Sequence, residues 1–283
     1  MFRLFTLVLV CFLSVAGFST IALAEPQLLL QGDADQGAAE KRTFTRSQLL
    51  ERQDRRSITV KDDPAYPGRV MMYDAVPLAA LFQGLKLGSD AVIEFKCIDG
   101  FAATISQARI LNRDPQRSEA FIAIENPKSP WPKVKNTQSS AGPFYLVWLR
   151  PELSAITQEE WPFQLAGFQV KGSLRQLYPA IFPAADAGEK VRRGFLSFSR
   201  NCFPCHTLNK EGPSNVGPDL NVPMNVTEYI EAKALRKLIR NPQNLRFYPG
   251  SRMSSFPQAI LPDDELEDLL AYLSHIAGHK VNH

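Results

Sequence analysis

Five consecutive residues, Cys202-Phe203-Pro204-Cys205-His206, constrain this 283-residue chain more than any other feature. Two thiols two residues apart, followed at once by an imidazole, fit three chemistries: half of a zinc site, a redox-active dithiol, or covalent attachment of a porphyrin. With 4 Cys and 4 His in the chain, a shuffled sequence would hold the pattern roughly 0.0008 times, so coincidence is a poor account of it. A closed zinc site needs a fourth ligand, and the remaining candidate thiol, Cys97, lies far upstream among strand signals. A thioredoxin-like dithiol is expected beside a βαβ pattern, which the chain does not show. The spacing therefore points to haem. The thiols of Cys202 and Cys205 would add across two vinyl groups of one porphyrin edge, and His206 would reach the iron as one axial ligand.

The first 24 residues read as a secretory signal peptide. Arg3 supplies the positive start, Leu4 to Val15 the apolar run, and Ala22-Leu23-Ala24 a small-residue cleavage site before Glu25. The competing reading, an uncleaved membrane anchor, is weakened by Ser14, Gly17, Ser19 and Thr20 and by the lack of stop-transfer charges. Cys11 sits in the apolar run without the preceding small residue that a lipoprotein site would want. Removing Arg3 leaves 31 basic against 29 acidic residues, a net of +2, too weak a field to imply a nucleic acid or an anionic membrane as partner. The mature chain would keep Cys97, Cys202 and Cys205 and no disulfide framework, with no membrane span. Export agrees with haem, because attachment to c-type proteins is extracytoplasmic in bacteria, and a periplasmic location is expected.

A length prior of roughly 150 residues per domain suggests two domains. From Glu25 to about Lys61 the chain is polar, with a capped helix start at Thr45-Arg46-Ser47-Gln48 before Leu49 and Leu50. Between Pro67 and Lys171, runs at Val70–Tyr73, Ala91–Cys97, Phe101–Ile105, Ala120–Ile124, Phe144–Leu149 and Phe163–Val170 read as strands. A short helix begins at Pro77. The segment 25–178 is thus expected to be an α+β domain with a mixed sheet. Residues 179–187, rich in Pro and Ala, read as a linker. The segment 188–283 is expected to be all-α, with apolar faces at Val191, Phe195 and Phe198, at Ile230, Ala234, Leu235, Leu238 and Ile239, and at Leu266, Leu269, Leu270, Leu273 and Ile276.

Spacing alone leaves the second axial ligand open among Met253, Met224, His275, His279 and His283. Met253 lies in a turn-like stretch before Pro257, where a thioether would be presented rigidly. From about Glu189 to Ile276 the chain resembles class I (mitochondrial-type) cytochrome c domains. The resemblance is carried in order by Gly194 to Phe198, Cys202 to His206, Gly217-Pro218-Asp219-Leu220, Leu238-Ile239-Arg240-Asn241-Pro242 and Asp263 to Leu273. It implies Met253 as distal ligand and Pro218 against His206, with a neighbouring carbonyl accepting the other imidazole proton. The family often carries Pro directly after the ligand Met, whereas Ser254 stands here. Tyr248 and Arg252 read either as donors to the haem propionates or as solvated surface residues.

In the first domain, Val76-Pro77-Leu78, Asp99-Gly100-Phe101, Gly142-Pro143-Phe144 and Trp161-Pro162-Phe163-Gln164 resemble, in their order, the sulfite-oxidase type of molybdopterin-binding domain. That resemblance implies the fold. Molybdopterin itself is disfavoured, because the family's molybdenum-binding Cys lies upstream of the V-P-L helix and no mature Cys occurs there. Cys97 reads as a buried hydrophobe rather than a ligand, and Trp131, Trp148 and Trp161 as core rather than as a pocket or electron path. The expected function is one-electron transfer by a single covalent haem c, with the first domain docking a redox partner. The alternative is a fused oxidoreductase whose first domain binds a cofactor or substrate and passes electrons to the haem. A haem-based gas sensor is a third reading.

Overall fold

The computed structural model describes residues 24–32, 40–135, 137–248 and 250–281. The expected signal peptide, with Cys11, and His283 lie outside the described residues, apart from Ala24. Among the described residues the strands are β1 (Gln27–Gln31), β2 (Lys41–Thr45), β3 (Arg56–Val60), β4 (Met71–Pro77), β5 (Ala91–Cys97), β6 (Ala102–Ser106), β7 (Glu119–Ile124), β8 (Phe144–Leu149) and β9 (Leu165–Ser173). The helices are α1 (Arg46–Leu50), α2 (Leu78–Leu81), α3 (Gln107–Ile110), α4 (Leu174–Leu177), α5 (Glu189–Asn201), α6 (Val226–Tyr229), α7 (Ala232–Arg240), α8 (Pro242–Leu245) and α9 (Asp263–Ala277).

The strands form two sheets. One runs β2-β1-β9-β5-β6, with β1 and β9 parallel and the other pairs antiparallel; the other runs β3-β4-β7-β8 and is antiparallel throughout. The region is therefore mixed in both element type and strand direction. β7 and β8 are buried almost along their whole lengths, which explains why they read as continuous apolar runs rather than alternating ones. Their shared core holds a carboxylate: Asp63 is fully buried and accepts from the Tyr73 hydroxyl at 2.6 Å, the Tyr145 hydroxyl at 2.8 Å and the Ala65 amide at 2.8 Å. Burial, reinforced by the Asp63 charge, pushes both phenols well above their usual range, so they stay protonated and able to donate.

The polar stretch before Lys61 holds the predicted helix start and three strands the sequence reading lacks. Thr45 caps α1 in a reciprocal capping box with Gln48. β1 to β3 are five residues each and owe their conformation to partners, β1 to β9 more than a hundred residues away; local patterning carries little of that information.

A second apolar cluster, separate from the first, lies between Ile181 and Ile276. Its frame is the crossing of α5 and α9. Gly194 makes the close approach possible: a Cβ there would overlap the Asp268 carbonyl and come within 2.7 Å of the Tyr272 Cβ. α7 carries Leu235 and Ile239 inward, while Ile230 precedes the helix rather than lying on it. Within residues 179–187, Ile181 is fully buried in this second core, Phe182 stacks on Phe195 at 4.5 Å, and the Ala180 amide donates to Glu211 at 2.8 Å. Just before them, the Tyr178 hydroxyl donates to Glu94 of β5 at 2.9 Å, tying the two regions together. No described helix is long and apolar enough to cross a membrane.

Candidate haem-binding site

α5 ends in a tight turn. The Cys202 and Phe203 amides both donate to the Phe198 carbonyl, and the Cys205 and His206 amides both donate to the Cys202 carbonyl at 3.1 and 2.9 Å. The turn brings the two thiols and the imidazole to one wall of a cavity of about 410 Å3. Met253 lines the same cavity from the segment after α8. The remainder of the lining is chiefly apolar, with Leu220, Val226, Leu235, Ile239, Phe256 and Leu273 among its residues, which is the composition expected of a cofactor site.

His206 is held from behind. Its Nδ1 lies 2.8 Å from the Pro218 carbonyl oxygen, an arrangement that fixes the ring and leaves Nε2 for another partner. Gly217 lets the chain pass over the ring: a Cβ at that position would come within 2.6 Å of Nδ1. Burial lowers the His206 pKa from its usual value, favouring the neutral imidazole that a metal needs. Asp219 then staples the turn that follows. Its carboxylate accepts from the Lys210, Asn221 and Val222 amides at 2.7 to 2.8 Å, and although burial opposes ionisation, these bonds bring its pKa below the usual range.

The two thiols are not poised as nucleophiles. Burial, with the nearby Glu159 carboxyl, pushes both Cys202 and Cys205 up to about 12, the reverse of what a dithiol exchanger requires. Among the described residues no group of three or more His, Cys, Asp or Glu side chains is arranged to hold a metal ion by itself. A flat apolar group anchored through two thioethers fits this lining, with a neutral imidazole on one wall and a thioether sulfur also on the cavity wall.

Among the described residues, the other ligand candidates Met224, His275 and His279 do not line the cavity. Met224 is half-exposed and outside the lining. His275 accepts from the Ala184 amide at 3.2 Å and packs edge-on to His279 at 4.6 Å. Tyr248 and Arg252 do line the cavity, and Arg252 is paired with Asp99 of the first region. Trp148 is core, its Nε1 donating to the Glu160 carbonyl at 2.7 Å, and Trp131 packs on Tyr73 at 4.8 Å. Trp161 and Cys97 are buried but line a second cavity, of about 440 Å3, between the two regions. Burial pushes the Cys97 thiol well up, so it stays protonated.

One residue of the cavity wall has no counterpart in the sequence reading. Glu159, from the turn Gln158–Glu160 of the first region, is 8% exposed and lines both cavities. Burial raises its pKa to about 7 against opposing hydrogen bonds from Ser254 and Gln158. The capping box from Thr157 to Glu160 is a local signal for the turn. Nothing local shows that the turn points inward.

In comparisons with known proteins, residues 191–277 match the family model described as cytochrome c, about three-tenths of the chain. No curated protein matches the chain. The C-terminal region is thus a cytochrome c domain, which implies covalently bound haem c and a role as an electron carrier working with a redox partner.

Proposed function

We propose that this protein is an exported monohaem c-type cytochrome that transfers single electrons in the periplasm. The observation that carries the reading is the convergence of Cys202, Cys205, His206 and Met253 on one apolar cavity, with His206 oriented by Pro218 at 2.8 Å. In this account Cys202 and Cys205 hold the porphyrin edge, and His206 and Met253 are the axial ligands. The bound haem supplies a one-electron iron couple, raised in potential by His/Met ligation. The chain's own part is to present a neutral imidazole in a fixed orientation, to place a thioether on the cavity wall, and to exclude water through Leu220, Ile239, Phe256 and Leu273. With both axial positions taken by protein side chains, no position is left for substrate, which sets this reading apart from a gas sensor and from haem catalysis.

The second reading, a fused oxidoreductase, is favoured by the cavity between the regions. Glu159, Cys205, Val216, Ser251, Arg252 and Ser254 line both cavities, so a small molecule between the regions would sit beside the thioether edge. The likeness of the first region to the sulfite-oxidase fold rests on motif order alone. A spectroelectrochemical titration with metal analysis separates the readings. One iron, no second metal and a single one-electron transition support the carrier. A second redox centre, or molybdenum near one per chain, supports the oxidoreductase.

A further inference from the structure

The Met253 loop has few bonds within its own domain. The Ser251 amide donates to the Tyr248 carbonyl at 3.0 Å, and the next anchor is the Phe256 amide on the Ile239 carbonyl at 3.1 Å. Between them, the partners of Arg252 and Ser255 among the described residues come from the first region. Arg252 pairs with Asp99 in the β5–β6 turn. Ser254 and Glu159 line the same stretch of wall between the two cavities, and the Ser255 carbonyl accepts from Gln158 Nε2 at 3.3 Å.

These partners are themselves rigidly based. The turn Gln158–Glu160 is closed by the Thr157 amide donating to Glu160 at 2.9 Å, and Arg109 and Trp148 hold Glu160 at 2.9 and 2.7 Å. The Asp99-Gly100 turn is tied across the interface by the Ser214 hydroxyl on the Gly100 carbonyl at 2.9 Å. Fixed partners on both flanks of one side chain restrict where its backbone can go, so they lower the entropy the loop must lose when the side chain binds.

We propose that the first region is a clamp on the distal ligand: Asp99 and Gln158 are positioning residues that hold the loop so that Met253 stays at the iron. The proposal rests on Met253 being the axial ligand. It assigns the first region a task inside the chain, with Arg252 and Ser255 gripped from outside on either side of Ser254, the position where the family often carries a stiffening Pro.

The test uses the full-length, haem-loaded protein. Imidazole added to the ferric form must displace Met253, so its binding rate reports how often the thioether leaves the iron, and the weak red absorption band of methionine-ligated ferric haem reports the ligand at rest. The double variant Asp99→Ala/Gln158→Ala should keep its haem and bind imidazole about tenfold faster. The charge swap Asp99→Arg/Arg252→Asp should bind more slowly than Asp99→Arg alone, an effect that a general loss of stability would not produce. A wild-type protein without the red band overturns the ligand assignment and the clamp together. A wild-type protein with the band, and double-variant rates within about twofold of it, overturns the clamp alone.

Discussion

The two regions bury comparable chemistry in opposite ways. The first closes its core on itself: Asp63 is completely buried, yet its carboxylate is met by Tyr73, Tyr145 and Ala65, and the rings of Tyr73, Trp131, Tyr145, Trp161 and Phe163 pack in one cluster with centroids 4.8 to 6.5 Å apart. The second turns part of its packed core, Leu235, Ile239, Phe256 and Leu273 among it, toward the cavity that Cys202, Cys205 and His206 line. A core closed on itself draws its stability from its own side chains, whereas one that lines a binding cavity gains further contacts from what it binds. The contrast marks the second region as a holder and the first as a frame.

The largest effect expected is on the C-terminal region. His206→Ala or the pair Cys202→Ala/Cys205→Ala should abolish stable haem loading and cooperative unfolding of the C-terminal helices. Far-ultraviolet circular dichroism and haem absorbance during a denaturant titration read both. Retention of a sharp helical transition without haem would break the distinction drawn here.

The frame should fail for a different reason. Asp63→Ala leaves two buried phenols unpaired and should cost about 4 kcal/mol, at 1–3 kcal/mol per unsatisfied group. The variant's haem spectrum should be unchanged wherever the protein is still folded. Chemical denaturation followed by tryptophan fluorescence checks the loss, and the paired variant Tyr73→Phe/Tyr145→Phe should be as damaging, since it strands the carboxylate.

Glu159 joins the two regions and gives the boundary a pH dependence. Its pKa is about 7 in the fold against 4.5 ordinarily, so the folded state binds the proton more tightly than the unfolded chain. The contribution of Glu159 to stability is then greatest below pH 4.5, falls as pH rises through about 7, and is flat beyond. The difference is on the order of 3 kcal/mol at about 1.4 kcal/mol per pKa unit. Glu159→Gln should remove that slope, which unfolding titrations at several pH values will show. The smallest effect is at the helix crossing: Gly194→Ala should cost about 2 kcal/mol by forcing α5 and α9 apart, read as a lowered midpoint with normal haem content.

Legibility in the sequence followed how local the cause was. β5 and β8 were bounded correctly because their residues are buried in continuous runs that need no partner to be recognised. β2 was missed because Lys41, Thr43 and Thr45 give it one polar face, Arg42 interrupts the other, and its strand character comes from pairing with β1. At the site, Cys202, Cys205 and His206 announce themselves by adjacency and Gly217 and Pro218 by a short motif. Glu159 does not, because beside Glu160 it looks like part of a solvated pair. It lines the cavity wall where the first region meets the Met253 loop, a juxtaposition that no local pattern encodes.

The central claim is that Cys202 and Cys205 fix a haem covalently in the C-terminal region. The most direct test is the intact mass of the mature protein, made in a host able to attach haem, then denatured and extracted with acidic organic solvent. The account predicts the mass of the chain from Glu25 plus one haem that extraction does not remove, and its loss in the Cys202→Ala/Cys205→Ala variant. A chain whose haem extracts freely, or whose mass shows no haem, would contradict it.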